Sequence, residues 1–316
     1  MPGAQPLLLH SLVEFDELIR GCLARAGSNS ILEIGSESGG STKRLLAAAA
    51  QREGEMWCVE PAPTRELRDL AAAEEHFNLI EGFSPAALEG LPACDAYVID
   101  GDHNYWTVSR ELEQVGLQAE RVRDHPLTIL HDMAWPCARR DQYYQPSALP
   151  SEATHPYTWD RGATPGTVEA TTGGFRGRGS FAIACIEGGP SNGVRTAVED
   201  YMSSREGLHL AVVPAIFGLG ILWAEDAPYA DALAEFVGPL DANPVLERME
   251  RNRLELYVAV LRSQQDVAEL GLRQGRLLTE YDLALTEAEV EAAALREELS
   301  SLRSRNDDQT AARSIK

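Results

Sequence analysis

The stretch Ile31-Leu32-Glu33-Ile34-Gly35-Ser36-Glu37-Ser38-Gly39-Gly40-Ser41-Thr42 decides the fold. Apolar residues interrupted by one acid give way to a run of small residues, and the helix-forming Lys43–Ala50 follows. That order predicts a strand, a tight turn and a helix N-terminus. Glycines in such a turn let a ligand approach bare backbone. The first turn of the helix offers N–H groups with no intrahelical partner. A dinucleotide-binding turn would carry G-x-G-x-x-G. This one carries Glu33-x-Gly35-x-x-x-Gly39, with an acid ahead of the first glycine. The residues alone admit any nucleotide-binding strand–helix turn.

Outward from this turn, strands and helices alternate. Strands are predicted at Ile31–Ile34, Glu55–Val59, Phe77–Ile80, Tyr97–Ile99 and Leu127–Leu130. Helices are predicted at Leu7–Ala26, Thr42–Gln51, Thr64–Glu75 and Asn104–Val115. Such alternation predicts a doubly wound, mostly parallel sheet with helices on both faces, an α/β fold of Rossmann-like type. From Pro136 to Gly179 the pattern breaks into a segment rich in Pro, Gly, Thr, Tyr and Trp. A loop this long inside a compact domain reads as a lid. Regular structure is expected to resume with strands at Phe181–Ile186, Leu208–Val213 and Leu219–Trp223 and a helix at Asn192–Ser203.

After Asn243-Pro244 the chain becomes continuously helix-forming. Tyr281, Leu285, Ala288, Ala292, Leu295, Leu299 and Leu302 recur at alternating four–three spacing, a heptad seam. The organisation expected is therefore a domain over 1–243 with its lid at 136–179, a helical or coiled-coil extension over 244–305, and a polar disordered tail over 306–316. The seam admits either a long amphipathic helix or a self-pairing coiled coil, and homo-oligomerisation through the C-terminal helices is an expectation.

The chain has 316 residues, enough for a sizeable core, and a formal net charge of −21. An acidic surface repels phosphate backbones, so no nucleic-acid partner is expected. The five cysteines are scattered with no CxxC pair, which fits reduced thiols better than disulfides or a zinc site. Neither a basic leader nor an apolar stretch of membrane-spanning length is present. A soluble, cytoplasmic protein without a membrane partner is expected.

The first turn resembles motif I of class I S-adenosylmethionine (SAM)-dependent methyltransferases. The resemblance covers about Leu7 to Trp223 and implies a seven-stranded sheet. It also implies that Gly35, Ser36, Ser38, Gly39 and Thr42 hold the methionine part of SAM, with Glu33 anchoring its ammonium group. Glu60 closes the second strand at roughly the spacing of a ribose-binding acid. Glu81-Gly82-Phe83-Ser84 follows the third strand, where the family places adenine. Phe83 would pack on the ring and Ser84 bond its edge, or Ser84 would cap the turn ahead of Pro85.

The densest cluster is Asp100-Gly101-Asp102-His103-Asn104-Tyr105, with His131-Asp132 after the next strand. Strand ends can bring these together, and oxygen ligands suit Mg²⁺. The cluster resembles that of the cation-dependent O-methyltransferases, including the bacterial branch that tailors sugars and macrolides. The resemblance implies Asp100, Asp102 and Asp132 as metal ligands, with Asp100 also at the SAM site, and His103 as the base that takes the acceptor's proton. His131 departs from the family, which has a carboxylate there. It admits a softer metal, a role as base or a backbone hydrogen bond. The aromatic residues Trp106, Trp135, Tyr143, Tyr144 and Trp159 are candidates for an acceptor pocket. Arg139, Arg140, Arg161, Arg176 and Arg178 are candidates for an anion clamp.

The implied activity is SAM-dependent methyl transfer to a hydroxyl of a small polar acceptor, such as a deoxysugar or nucleotide-sugar in natural-product biosynthesis, assisted by Mg²⁺. Two alternatives stay open: a metal-independent enzyme acting on a phenol or amine, and a non-catalytic scaffold that assembles partners through the tail. A nicotinamide oxidoreductase is disfavoured by the missing G-x-G-x-x-G.

Overall fold

A computed structural model describes residues 7–122 and 124–314, with side chains described as far as residue 303. From the N-terminus the elements are α1 (Asp16–Ala26), β1 (Ser30–Ile34), α2 (Gly40–Ala50), β2 (Glu55–Glu60), α3 (Arg65–Ala73), β3 (Phe77–Glu81), β4 (Ala96–Ile99), α4 (Tyr105–Val122) and β5 (Leu127–Leu130). There follow β6 (Gln142–Tyr143), β7 (Tyr157–Thr158), β8 (Ala182–Ala184), α5 (Val194–Ser203), β9 (Leu208–Val213), β10 (Leu219–Ala224), α6 (Ala230–Val237) and α7 (Pro244–Ser314).

Seven strands form one sheet in the order β3-β2-β1-β4-β5-β10-β9. The pairs from β3 through β5 are parallel, and β10 runs antiparallel to both neighbours. Strand order reverses at β1, between β2 on one side and β4 on the other. In open α/β sheets, ligands bind beyond the carboxyl ends of the strands at such a reversal. The register levels these ends: Ile34 lies opposite Val59 and Ile99, Ile99 opposite Leu130, and Glu60 opposite Glu81.

Successive strand residues point to opposite faces, and both faces are covered. Ile31, Met56, Cys58, Val98 and Ile129 pack with α1, α2 and α6 in one core. Leu32, Ile34, Tyr97, Ile99 and Leu130 pack with α4 and α5 in the other. The strands therefore read as near-continuous apolar runs.

Five sequence expectations change. The helix expected over Leu7–Ala26 begins later, because Ser11 caps a separate short turn at Leu12–Phe15 before α1. The strand expected at Phe181–Ile186 does not join the main sheet. Its central part, β8, lies between β6 and β7 in a three-stranded sheet of its own. The segment 136–179 is accordingly no open loop but most of a small folded insert. The fully buried Asp141 ties this insert to the main domain. Its carboxylate accepts from the N–H of Tyr105 at the start of α4 (2.7 Å), from Gly193 N–H at the start of α5 (2.7 Å) and from the Tyr143 hydroxyl (2.8 Å).

The boundary expected at residue 243 also moves. Asn243 caps α7, accepting from Val245 and Leu246 N–H. The first turns of α7 belong to the domain, however, with Glu250, Leu254 and Val258 buried. The chain divides into units 1–261 and 262–316. The second unit is helical as far as Ser314, so the break expected at residue 306 is not seen; no glycine or proline interrupts 306–314. Residues 315–316 of the expected tail lie outside the described residues. Among the described residues no helix is long and apolar enough to cross a membrane.

Candidate active site

Gly35 ends β1 with φ +82°, and a Cβ there would overlap the Asp100 carbonyl and lie 2.7 Å from Gly101 Cα. Only glycine lets the ends of β1 and β4 approach so closely. The Gly35 N–H donates to Val59 O (3.0 Å), so the end of β2 joins the same point. One residue on, Ser36 donates from both its N–H and its hydroxyl to Glu60 Oε2, each at 3.0 Å. The Ala62 N–H donates to Glu60 Oε1 (3.0 Å). An ionised carboxylate has about four acceptor sites, and three are filled here. Gly35, Glu60 and Asp100 therefore meet at the carboxyl ends of β1, β2 and β4.

Gly39, also left-handed (φ +78°), starts α2 without a side-chain cap. Ser38 is exposed on the turn, while Thr42 is buried behind it. The Thr42 hydroxyl donates to Glu33 at 2.6 Å and that of Ser41 at 2.5 Å. Glu33 is fully buried, and burial pushes its carboxyl up to about 7 against the pull of those hydroxyls. Its direct partners are thus the first turn of α2, which it fixes from beneath, and Cys58 on β2.

Beyond β3 the expected adenine residues part company. Glu81 is held by Arg68 in a two-pronged pair (2.8 and 2.9 Å), whose hydrogen bonds keep the carboxyl below its usual range. That leaves Glu81 on the surface, facing α3. Gly82 continues the turn and Phe83 is 59 % exposed. Ser84 does not cap the next turn. Its hydroxyl donates to Glu111, a fully buried acid on α4. Burial pushes Glu111 up to about 8, and its second oxygen has no partner among the described residues. Glu111 escaped the sequence reading. The signal was present: it stands on the apolar stripe of α4 with Val108, Leu112 and Val115.

The cluster after β4 and β5 is tightly joined. His103 Nδ1 lies 3.0 Å from Asp132 Oδ2. His131 Nδ1 lies 3.1 Å from Asp100 Oδ1 and 3.4 Å from Asp132 Oδ2, and its Nε2 donates to Ile216 O (2.9 Å). Because a carbonyl only accepts, Nε2 carries a proton; because Nδ1 faces two carboxylates, it carries one too. Burial disfavours that charge, but Asp100 and Asp132 outweigh it and raise the His131 pKa well above its usual value. His131 is therefore a buried cation with no nitrogen left for a substrate, which removes it as a candidate base.

His103 differs. Burial again opposes the charge, and Asp132, then Asp100 and Asp102, raise its pKa to about 9. Its Nε2 faces the Tyr144 hydroxyl (3.3 Å), toward the insert. Asp132 sits at φ +59°, a backbone that few side chains adopt and that Asp tolerates. Burial acts to raise its pKa, but the two imidazoles overcome it and depress it.

Atoms of Asp100, His103 and Asp132 converge within 4.8 Å of one another, a spacing that would admit a cation. Two carboxylates and an imidazole are a chemically reasonable donor set for a divalent ion. Asp102 is not part of it. Its Oδ2 accepts from Asn104 Nδ2 (2.5 Å) and the Thr107 hydroxyl (3.4 Å) at the start of α4.

The aromatic candidates also divide. Tyr144 stacks beside His103 (5.7 Å between centroids) and against Phe181, while Trp135 packs on Phe175. Tyr143 is core of the insert, Trp106 lies beneath Arg110, and Trp159 is partly exposed on the insert. Nor do the arginines form a clamp. Arg139 pairs with Glu199, buried Arg140 donates to Ala184 O and Val168 O, and Arg176 donates to Asp160 O. No arrangement joins Arg161 or Arg178 to them.

Residues 32–133 match the model of a methyltransferase domain, and that span runs from β1 to just past β5, enclosing every strand end described above. The match covers about a third of the chain. No curated protein matches the chain by sequence. Among solved structures, the SAH-bound methyltransferase PaMTH1 of Podospora anserina is 15 % identical with a TM-score of 0.42, over 67 % of this chain and 78 % of that one. The O-methyltransferase TomG of Streptomyces achromogenes, in complex with SAM, is 14 % identical with a TM-score of 0.38, over 69 % and 82 %. DesVI of Streptomyces venezuelae is 12 % identical with a TM-score of 0.37, over 67 % and 91 %. These likenesses are faint; the strand ends within residues 32–133 carry the functional interpretation.

Proposed function

We propose that the chain transfers the methyl group of SAM to a hydroxyl of a small polar acceptor. The observation that carries this is the meeting of Gly35, Glu60 and Asp100 at the strand ends inside the span that matches a methyltransferase-domain model. Bare backbone at Gly35–Gly39 and the uncapped start of α2 suit the methionine carboxylate. The unfilled acceptor capacity of Glu60 suits a ribose hydroxyl, and Ser84 with Phe83 suits the adenine end. Glu33 supports the turn from below rather than touching the ligand.

Methyl transfer from a sulfonium is an in-line displacement, so most of the catalysis is positioning of the acceptor oxygen. In this proposal His103 takes the acceptor's proton, and Tyr144 with Phe181 offers an aromatic wall beside it. Asp100 and Asp132 would hold a divalent cation such as Mg²⁺, which leaves His103 Nε2 for the acceptor's proton. When bound, such an ion lowers the pKa of an acceptor hydroxyl. Asp132 orients His103, and His131 keeps the two carboxylates together in the absence of other cations. A small hydroxylated acceptor, a deoxysugar for instance, fits a site with these polar groups.

A second interpretation is favoured by His131. Its imidazolium already supplies positive charge between Asp100 and Asp132, as a metal-independent enzyme would need. The test is titration calorimetry with SAM, followed by transfer from labelled SAM to hydroxylated acceptors with EDTA or Mg²⁺ present. SAM binding and transfer lost on chelation and regained with Mg²⁺ support the first interpretation. Transfer indifferent to chelation supports the second, and absence of SAM binding refutes both in favour of a scaffold.

A further inference from the structure

We propose that residues 278–302 of α7 pair with the same residues of a second copy of this chain, as a parallel, in-register, two-stranded coiled coil. Over this span the heptad core positions are all apolar: Leu278, Leu285, Ala292 and Leu299 at one set (a), Tyr281, Ala288, Leu295 and Leu302 at the other (d). The large members stand in solvent on the described chain, Tyr281 at 66 % and Leu295 at 54 % exposure. A seam of eight consecutive apolar layers has no partner within its own unit, and a single isolated helix gains nothing from it.

The charges beside the seam choose the occupant and its direction. In a parallel pair, each residue just before an a position (g) faces the residue five places further along on the partner, just after a d position (e). Here those pairs are Glu291 with Arg296 and Glu298 with Arg303, each attractive and each formed twice by symmetry. The same charges have little use within one helix. Glu291, Arg296 and Glu298 have no opposite charge three or four residues away, the only spacings that meet on a helix surface. A five-residue spacing is useless in one chain and complementary between two.

Antiparallel pairing fares worse. One register that keeps the apolar layers matched sets Leu302 opposite Leu278 and places Glu289 and Glu291 each against its own copy. The other sets Leu302 opposite Leu285 and places Glu291 against Glu298 twice. Only the parallel register leaves no like-charge pair among these flanking positions. The inference stands apart from the catalytic one and does not depend on it.

The test uses the full chain. Sedimentation should give twice the 34.5 kDa chain mass, and a monomer at tens of micromolar overturns the proposal. Leu302→Cys should become a disulfide-linked dimer on mild oxidation, because residue 302 faces itself only in the parallel register. The unsubstituted chain, whose five cysteines are free and mostly buried, serves as control. A dimer in which Leu302→Cys links instead to Leu285→Cys or Leu278→Cys on a mixed partner overturns the parallel direction. Finally, Glu291→Arg with Glu298→Arg should be monomeric, as should Arg296→Glu with Arg303→Glu, and mixing the two should restore a heterodimer. Charge-reversed chains that still self-associate as tightly as the original overturn the pairing.

Discussion

Glu60 is the residue on which the cofactor assignment can be tested most cleanly. Three protein donors fill both its oxygens, so Glu60→Gln sets an amide NH₂ against at least the Ala62 N–H and should lower Tm modestly while also losing the charge toward a ribose hydroxyl. A hydrogen bond to a charged group contributes about 1.5–3 kcal/mol, so SAM affinity measured by calorimetry on the folded variant should fall roughly ten- to hundredfold. Two other acids report on stability instead. Glu33 (raised to about 7) and Glu111 (raised to about 8) keep protons in the folded chain that the unfolded chain loses near 4.5. Between those values the folded state binds more protons, so stability declines as pH rises. Thermal melting should therefore show Tm dropping from pH 5 to pH 8.5. Glu111→Gln should flatten the part of that decline between about 4.5 and 8. With a few kcal/mol at stake and about 2–4 °C per kcal/mol in a chain of this size, the change is of order 5–10 °C. The sequence made the strand-end position of the proposed site's acids legible, because acids after apolar runs announce themselves: Glu60 closes β2, and Asp100 and Asp132 follow β4 and β5. It did not reveal what each acid's partners are. Asp102 and Glu81 sit beside residues of the proposed site in sequence, yet Asn104 and Arg68 bond their carboxylates, and such side-chain choices depend on packing across elements.

At the scale of elements, Asp141 carries the link between insert and sheet. One carboxylate caps the starts of α4 and α5 and takes the hydroxyl of Tyr143. Asp141→Ala strands two buried N–H groups and a buried hydroxyl, for which the cost is about 3–5 kcal/mol by analogy with other broken buried networks. Denaturant unfolding should show that loss, and limited proteolysis should cut first within 142–184. Stability within 0.5 kcal/mol of the parent would remove Asp141 from this role. The alternating pattern from Ile31 to Leu130 was legible because a parallel sheet buried on both faces needs continuous apolar strands, and each was short and flanked by turn residues. The insert was not legible. Its strands are two or three residues long, too short to show a period, and β8 has the composition of a core strand while pairing elsewhere. The start of α7 failed for a related reason: Asn243-Pro244 is a true helix start, but a helix start need not be the edge of a compact unit.

For the whole molecule the governing quantity is charge. The chain carries −21, and most of that excess lies in residues 1–261, which contain the proposed site. SAM at neutral pH has a sulfonium, an ammonium and a carboxylate, for a net charge of +1, whereas SAH lacks the sulfonium and is neutral overall. A long-range negative field would therefore draw in the proposed cofactor and exert no such pull on its product. Screening shortens that reach from about 30 Å at 0.01 M salt to about 8 Å at 0.15 M. Stopped-flow association should show the on-rate for SAM falling several-fold across this range, with the rate for SAH nearly constant. Contacts inside the site are shielded from salt, so the dissociation rates should change little for either. Equal salt dependence for the two ligands would mean that the acidity serves solubility alone. A dependence seen only in dissociation would place the effect at contact, on Glu60 and its neighbours, rather than in the field of the molecule.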